Sequence, residues 1–427
     1  MMSLADTLQS WASAATRLLS LAGRPVRRAQ GEAGVVLEPY RGYGSRTEVF
    51  LIGRVFRQSR SDHTARNKFT SQLRDIGRRL ARRTIPGAVV TARFYGTEER
   101  VTTDQDGYFR VHVRLQLEPS TERTWHTMDL ALEQPQSVLA QGQVFIPTDR
   151  CRYVVISDID DTIMHTGVAN KLGMLWRLFV ADAKSRVAFP GVAAFYRALY
   201  AGRSGNENNP ILYVSRAPWN IYSILEEFFN LHGIPIGPVL FLREWGLSWK
   251  RPLPRKAEDH KQELIRNMLK LYSDLPFVLI GDSGQHDPEV YQQIVEEHPG
   301  RVLAVYIRNV SRNPNRIAEI ERLATVISAA GSSLVLASDS VAMAEHAANL
   351  GLVARQTVAD VASERWDQVE RGAGAGTHHV KRTSADETAG AIAEGELQEL
   401  LTREQEGLPP NVVVEPAERE RPRDLKA

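Results

Sequence analysis

Apolar positions change their spacing once, sharply, near residue 150. From Val35 to about Ile146, short runs rich in β-branched and aromatic residues alternate with polar ones and are broken by turn residues. Residues 49–56, 88–94 and 108–113 read as strands on this pattern. Residues 101–103 lead into a turn over 104–107, where Gly107 admits a positive φ. Short strands so regularly spaced predict an all-β sandwich. From Arg152 the pattern becomes apolar runs alternating with helical stretches, which predicts an α/β domain around a parallel sheet. The runs are 153–156, 211–214, 239–242, 277–280 and 302–307. Helices are expected over 192–200, 221–231, 257–272 and 316–330, with a further segment over 338–350 closing the domain. Beyond about Val369 the chain turns to Gly, Glu, Arg and Pro, the composition of a disordered tail, in which Leu397, Leu400 and Leu401 could form a transient helix.

Two stretches fall outside this scheme. Leu4, Leu8, Trp11, Ala15, Leu18 and Ala22 share one face of an N-terminal helix, with Arg24, Arg27 and Arg28 behind it. That helix either docks on its own domain or lies at a membrane interface. Residues 57–83 read as a basic helical insertion, with a stripe of Phe69, Leu73, Ile76 and Leu80 and nine basic residues against Asp62 and Asp75. Such a run is a solvated face or a patch for anionic partners such as phospholipid head groups. Aromatics are not interleaved with the charges as nucleic-acid stacking requires, so no nucleic-acid partner is expected. The expected organisation is therefore an amphipathic helix in 1–34, a β-sandwich accessory domain in 35–149, an α/β domain in 150–360 and a disordered tail in 370–427.

Composition narrows the setting. A chain of 427 residues is too long for one ordinary domain. Its net charge of +2 points to no class of partner. A single cysteine, Cys151, rules out an internal disulfide framework and fits a reducing compartment. No apolar run approaches the ~20 residues that span a bilayer. The N-terminus has no basic stretch ahead of an apolar core, so a cytoplasmic protein is expected, with peripheral membrane contact as the variant.

The chemistry gathers where apolar runs end. The run from Tyr153 enters Ser157-Asp-Ile-Asp-Asp-Thr-Ile163, three acids in four positions. Carboxylates at the end of a buried strand are costly without a compensating cation, and that end is where open α/β sheets bind ligands. A hard ion, Mg2+ by preference, resolves the cost; an acidic surface turn is the plain alternative. The second run ends at Ser215, and the fourth enters Gly281-Asp-Ser-Gly-Gln-His-Asp287, a Gly-rich turn with two more acids. Lys261 begins the helical segment between them. A carboxylate to attack phosphorus, a second to protonate the leaving oxygen, and a metal and a cation for the phosphate are the inventory for phosphoryl transfer through an aspartyl-phosphate. No Gly-x-x-x-x-Gly-Lys-Ser/Thr is present, which argues against an NTP-driven enzyme.

In order and type these motifs resemble the haloacid dehalogenase superfamily. Ser157–Ile163, Tyr213-Val-Ser-Arg-Ala-Pro-Trp-Asn220, His260-Lys261 and Leu279-Ile-Gly-Asp-Ser-Gly-Gln-His-Asp-Pro-Glu289 resemble the actin-patch-protein type of phosphatidate phosphatase over roughly residues 150–310. Bacterial members of that family resemble the chain from about Val35 onward. The resemblance implies a parallel α/β core with a small cap and Mg2+-dependent removal of phosphate from phosphatidate, giving diacylglycerol. A soluble phosphomonoester or phosphoprotein substrate is the alternative, and a membrane-binding module with a vestigial site is the reading from another class.

Carried over by residue, the resemblance implies Asp158 as nucleophile and metal ligand, and Asp160 as general acid and then base, with its backbone carbonyl on the metal. Thr162 fixes the loop by hydrogen bonding, and Ser215 and the N–H of Arg216 hold phosphate oxygens. Lys261 stabilises the phosphorus centre, with Lys256 as rival, and Asp282 and Asp287 bind the metal. Asp161 receives no step. Plainer roles stand beside these: Ser215 or Asp287 as a helix cap, Lys261 as a solvated lysine, and Arg216, Trp219 and Asn220 as packing. His165 and His286 flank the acids, but Mg2+ has little use for imidazole. The cap expected over 166–189 carries an apolar group, Leu172, Met174, Leu175, Trp176, Leu178 and Phe179, which either packs the cap or faces lipid.

Overall fold

A computed structural model of the chain describes residues 29–31, 34–58, 83–159, 162–163, 189–215, 219, 222–241, 257–311, 313–375 and 411–416. The N-terminal helix, nearly all of the basic insertion, the cap segment and most of the tail lie outside them. The chain divides into two compact units, Met1–Arg150 with Leu225–Pro238, and Cys151–Ile224 with Val239–Ala427.

The first unit is built on strands, numbered in chain order β1 (Ala29–Gln30), β2 (Val35–Pro39), β3 (Gly42–Gly44), β4 (Glu48–Arg57), β5 (Arg83–Thr84), β6 (Val89–Phe94), β7 (Thr97–Thr102), β8 (Tyr108–Arg114), β9 (Trp125–Gln134) and β10 (Val138–Phe145). β4 shows the alternation clearly up to Phe56, with Val49, Leu51, Gly53 and Val55 buried and Glu48, Phe50, Ile52 and Arg54 partly open. The expected turn forms: Gly107 has φ 78°, and Asp104 Oδ1 accepts from the backbone N–H groups of Asp106 and Tyr108 at 3.0 and 2.9 Å. Inward residues of β2, β4 and β8 share one core with those of β6, β9 and β10. The strands do not separate into two sheets, as a simple sandwich would. β3 pairs with β4 antiparallel and with β10 parallel, so one hydrogen-bonded sheet folds over its own core.

The second unit carries a seven-stranded sheet in the order β13-β12-β11-β14-β15-β16-β17. Its strands are β11 (Val154–Asp158), β12 (Ile211–Ser215), β13 (Val239–Phe241), β14 (Phe277–Asp282), β15 (Val302–Arg308), β16 (Ser333–Ala337) and β17 (Val412–Val414). The first six are parallel and β17 is antiparallel. β11, β12 and β14 are buried at every position, as strands covered on both faces must be. The helices of the chain are α1 (Val192–Ala201), α2 (Tyr222–His232), most of which belongs to the first unit, α3 (Ala257–Leu271), α4 (Asp287–Glu297), α5 (Pro314–Ala329), α6 (Ser340–Asn349) and α7 (Thr357–Ala375). α5 starts two residues before the expected helix, because Asn313 caps it through the N–H of Asn315 and Pro314 suits the first turn. α6 is capped by Asp339, whose Oδ1 accepts from Val341 and Ala342.

The tail expectation needs correction at two places. α7 runs to Ala375, and Val412–Val414 pairs with Leu334–Leu336 at the sheet edge. The glutamate-rich composition of the tail conceals a valine triplet that an open edge strand can recruit. No helix among the described residues is long and apolar enough to cross a membrane.

Candidate active site

The strand order reverses between β11 and β14: β12 and β13 lie to one side of β11, and β14, β15 and β16 to the other. The crevice at such a reversal, outside the carboxyl ends of the strands, is where an open parallel sheet offers a binding site. Asp158 ends β11 and Asp282 ends β14. Asp287 opens α4, five residues on.

These three carboxylates meet. Each offers an oxygen within 4.8 Å of the other two, and all three side chains are buried. Lys261 reaches the cluster from α3. Its Nζ donates to Asp287 Oδ1 at 2.5 Å and lies 3.2 Å from Asp158 Oδ1, and the residue is only 1 % exposed. Burial drives the ammonium toward its neutral form, but the charges of Asp158 and Asp287 outweigh it, so the lysine pKa is raised above its ordinary 10.5. Lys261 is therefore no solvated lysine. Its rival Lys256 lies outside the described residues.

The turn after β14 is folded around Asp282. Asp282 Oδ1 accepts from the backbone N–H groups of Gly284 and Gln285 at 2.7 and 2.9 Å. The carboxylate of Asp287 bends back on the turn, its Oδ2 accepting from Asp282 N at 3.3 Å. Gly281 makes this possible, because a Cβ there would stand 2.2 Å from Asp287 Oδ2. Asp287 is thus not a helix cap. His286 holds the cap position of α4, and no side chain caps it.

Gln285 is the residue that sequence reasoning quoted but left without a part. Its Nε2 donates to Asp158 Oδ2 at 3.1 Å and to Asp282 Oδ2 at 2.7 Å, linking the ends of β11 and β14. Its presence in the Gly-Asp-Ser-Gly-Gln motif was the available signal; its partner on β11 depends on the sheet.

Ser215 ends β12, buried beside Asp158's strand, where Asp158 pairs with Val214. Thr162 is 1 % exposed. Its backbone carbonyl accepts from Arg308, but its buried hydroxyl has no hydrogen-bond partner among the described residues. Trp219 packs against the rings of Tyr222 and Phe241. Asp160, Asp161, Arg216 and Asn220 lie outside the described residues.

The donor set suits a hard divalent cation. It is all carboxylate oxygen, and three carboxylates against one ammonium leave a formal charge of −2 in a buried site. Residues 153–309 match the family described as phosphatidate phosphatase APP1, catalytic domain. The phosphatidate phosphatase APP1 of Saccharomyces cerevisiae is 30% identical over 230 residues, 52% of this chain and 36% of that protein. An uncharacterized protein of Schizosaccharomyces pombe is 25% identical over 217 residues, 50% of this chain and 35% of that protein. The chain thus spans about a third of the length of the curated relatives it matches. Among solved structures, a carbohydrate acetylesterase from Xanthomonas citri is similar with TM-score 0.23 and 11% identity over 66% of this chain and 72% of that one, too slight a likeness to bear on fold or function.

Proposed function

We propose that the chain is a phosphatase of the haloacid dehalogenase type that hydrolyses phosphatidate to diacylglycerol and inorganic phosphate. The observation that carries this reading is the buried meeting of Asp158, Asp282, Asp287 and Lys261 at the reversal point of the sheet. The substrate is taken from the family of residues 153–309.

A carboxylate oxygen of Asp158 attacks phosphorus, and the bond from phosphorus to the glyceride oxygen breaks. Asp160, two residues on, gives its proton to that oxygen. Asp160 then takes a proton from water as the water attacks the phosphoaspartate, and phosphate leaves with Asp158 restored. The ammonium of Lys261, held against Asp158, offsets charge that builds on the phosphoryl oxygens. Ser215, the N–H of Arg216 and the hydroxyl of Thr162 orient those oxygens. Asp158, Asp282, Asp287 and the backbone carbonyl of Asp160 would hold Mg2+, which when bound supplies the positive charge that neutralises the phosphate. A phosphatidate substrate further requires contact with a lipid surface, at least while the substrate enters.

Phosphate release from phosphatidate in mixed micelles and from a soluble phosphomonoester tests this, with Mg2+ or with EDTA. Wild type releases phosphate from phosphatidate in Mg2+, EDTA abolishes release, and Asp158→Asn lowers it by about a thousandfold or more. Release from the soluble ester alone would remove the lipid assignment. A folded wild type that attacks neither ester would sink the enzyme reading, and an Asp158→Asn variant with full activity would sink the nucleophile.

A further inference from the structure

At the end of β15, Arg308 lies opposite Asp282 in the β14–β15 register and is 2 % exposed. Its guanidinium spreads three ways. Nε donates to the carbonyl of Thr162 at 3.2 Å, Nη1 to the carbonyl of Ser338 at 3.3 Å, and Nη2 to Ser340 Oγ at 2.9 Å. The same plane covers the ring of Phe189, 4.4 Å from its centroid. Thr162 and Phe189 flank the segment over which the chain leaves β11 and returns to α1. Their surroundings are joined by further bonds: Phe189 N donates to Ile163 O at 3.2 Å, and Ser340 Oγ donates to Pro190 O at 3.2 Å. Through its own carbonyl, Arg308 accepts from Ser283 N at 2.9 Å, in the turn that follows Asp282. One residue therefore grips the loop after Asp158, the return of that loop, and the turn after Asp282.

We propose that Arg308 is a positioning residue that staples both feet of the segment between Thr162 and Phe189, and so sets where the Asp158–Thr162 loop stands against the turn of Asp282. This rests on the phosphatase reading above, because the loop in question carries the nucleophile and the acid. The chemistry requires a guanidinium. Its planar fork addresses three acceptors in fixed directions and stacks on an aromatic face at the same time. A lysine at 308 keeps the charge but is a single point donor on a flexible stem, so it cannot hold both feet. Arg308 acts through the carbonyls of Thr162 and Ser338 and the hydroxyl of Ser340.

The test compares wild type with Arg308→Gln and Arg308→Lys, reading kcat and KM on phosphatidate with Mg2+, and amide hydrogen exchange across the chain. Both variants are expected to lose about 100-fold in kcat, as a displacement of about 1 Å costs a positioned group, with KM within about threefold of wild type. Exchange is expected to quicken at 162–163 and 189–192 while β12 and β14 keep wild-type protection. Failure of lysine to rescue kcat marks geometry, not charge, as what Arg308 provides. The proposal is overturned by a wild-type kcat in Arg308→Gln, by full rescue in Arg308→Lys, or by exchange that rises equally across the whole unit. If wild type releases no phosphate, the phosphatase reading fails separately. The staple is then decided by exchange alone: faster feet support it and unchanged feet overturn it.

Discussion

Replacing Lys261 by methionine removes the ammonium from the carboxylate cluster while keeping a stem of similar length. Nζ sits 2.5 Å from Asp287 Oδ1 and 3.2 Å from Asp158 Oδ1, and all three side chains are about 1 % exposed. Water cannot take the place of the lost cation without opening the site. Removing one partner of a buried ion pair costs about 3–5 kcal/mol. At about 2–4 °C per kcal/mol for a domain of this size, the melting temperature falls by roughly 6–20 °C. The pH dependence has a definite sign. The folded pKa of Lys261 is raised, so its contribution is complete below the unfolded value near 10.5 and is lost only as pH climbs through the folded value. The difference between wild type and Lys261→Met therefore persists at neutral pH and closes in strong alkali, where wild type loses the contribution. Thermal melts in EDTA at pH 7, repeated toward pH 11, measure it. Magnesium is expected to return part of the loss, since a divalent cation would meet the same carboxylates. A variant that melts within about 2 °C of wild type in EDTA at neutral pH would refute the buried pairing.

Two further perturbations probe the site and the sheet. Gly281→Ala drives a methyl into Asp287, whose Oδ2 would be 2.2 Å away; a stability loss of about 1–3 kcal/mol and at least a tenfold fall in phosphate release (about 1.4 kcal/mol in the barrier) are expected, and unchanged melts and rates would show that the turn has room. Ending the chain after Ala375 strips β17 from β16 and removes the bond from Ser328 Oγ to the carbonyl of Glu415; a fall of about 1–3 kcal/mol in a urea melt, with self-association through the bared edge, is expected, and an unaltered midpoint with a monodisperse sample would deny the pairing any weight.

The α/β unit was readable because a strand buried on both faces has to be an unbroken apolar run. Val154, Val155 and Ile156 gave β11, and Phe277–Ile280 gave β14, with the acids standing where the apolar residues stop. β16 escaped notice, as Ser333–Ala337 is short and sits directly between two helices. β17 escaped because three valines in a charged tail have no pattern of their own; the edge of β16 makes them a strand. In the first unit the alternation of β4 and β8 was plain, whereas the parallel pairing of β3 with β10 joins residues about 100 apart and leaves no local trace. The bond from Arg308 to the carbonyl of Thr162 joins residues 146 apart and leaves no local trace either.

Sequence by itself determined which residues carry reactive groups and that they stand at strand ends, since apolar periodicity and the Gly-rich turn are local properties. It also carried the family likeness of the segment from about 150 to 310. Tertiary structure decided that the ends of β11 and β14 are neighbours, which follows from strand order and not from spacing. That adjacency turns Asp158, Asp282, Asp287 and Lys261 into one buried charge cluster and gives Gln285 two carboxylates to bridge. It also places Arg308 where one guanidinium reaches both feet of a distant segment. Charge compensation acts over a few ångströms, so it is settled only once the sheet has brought its partners within reach.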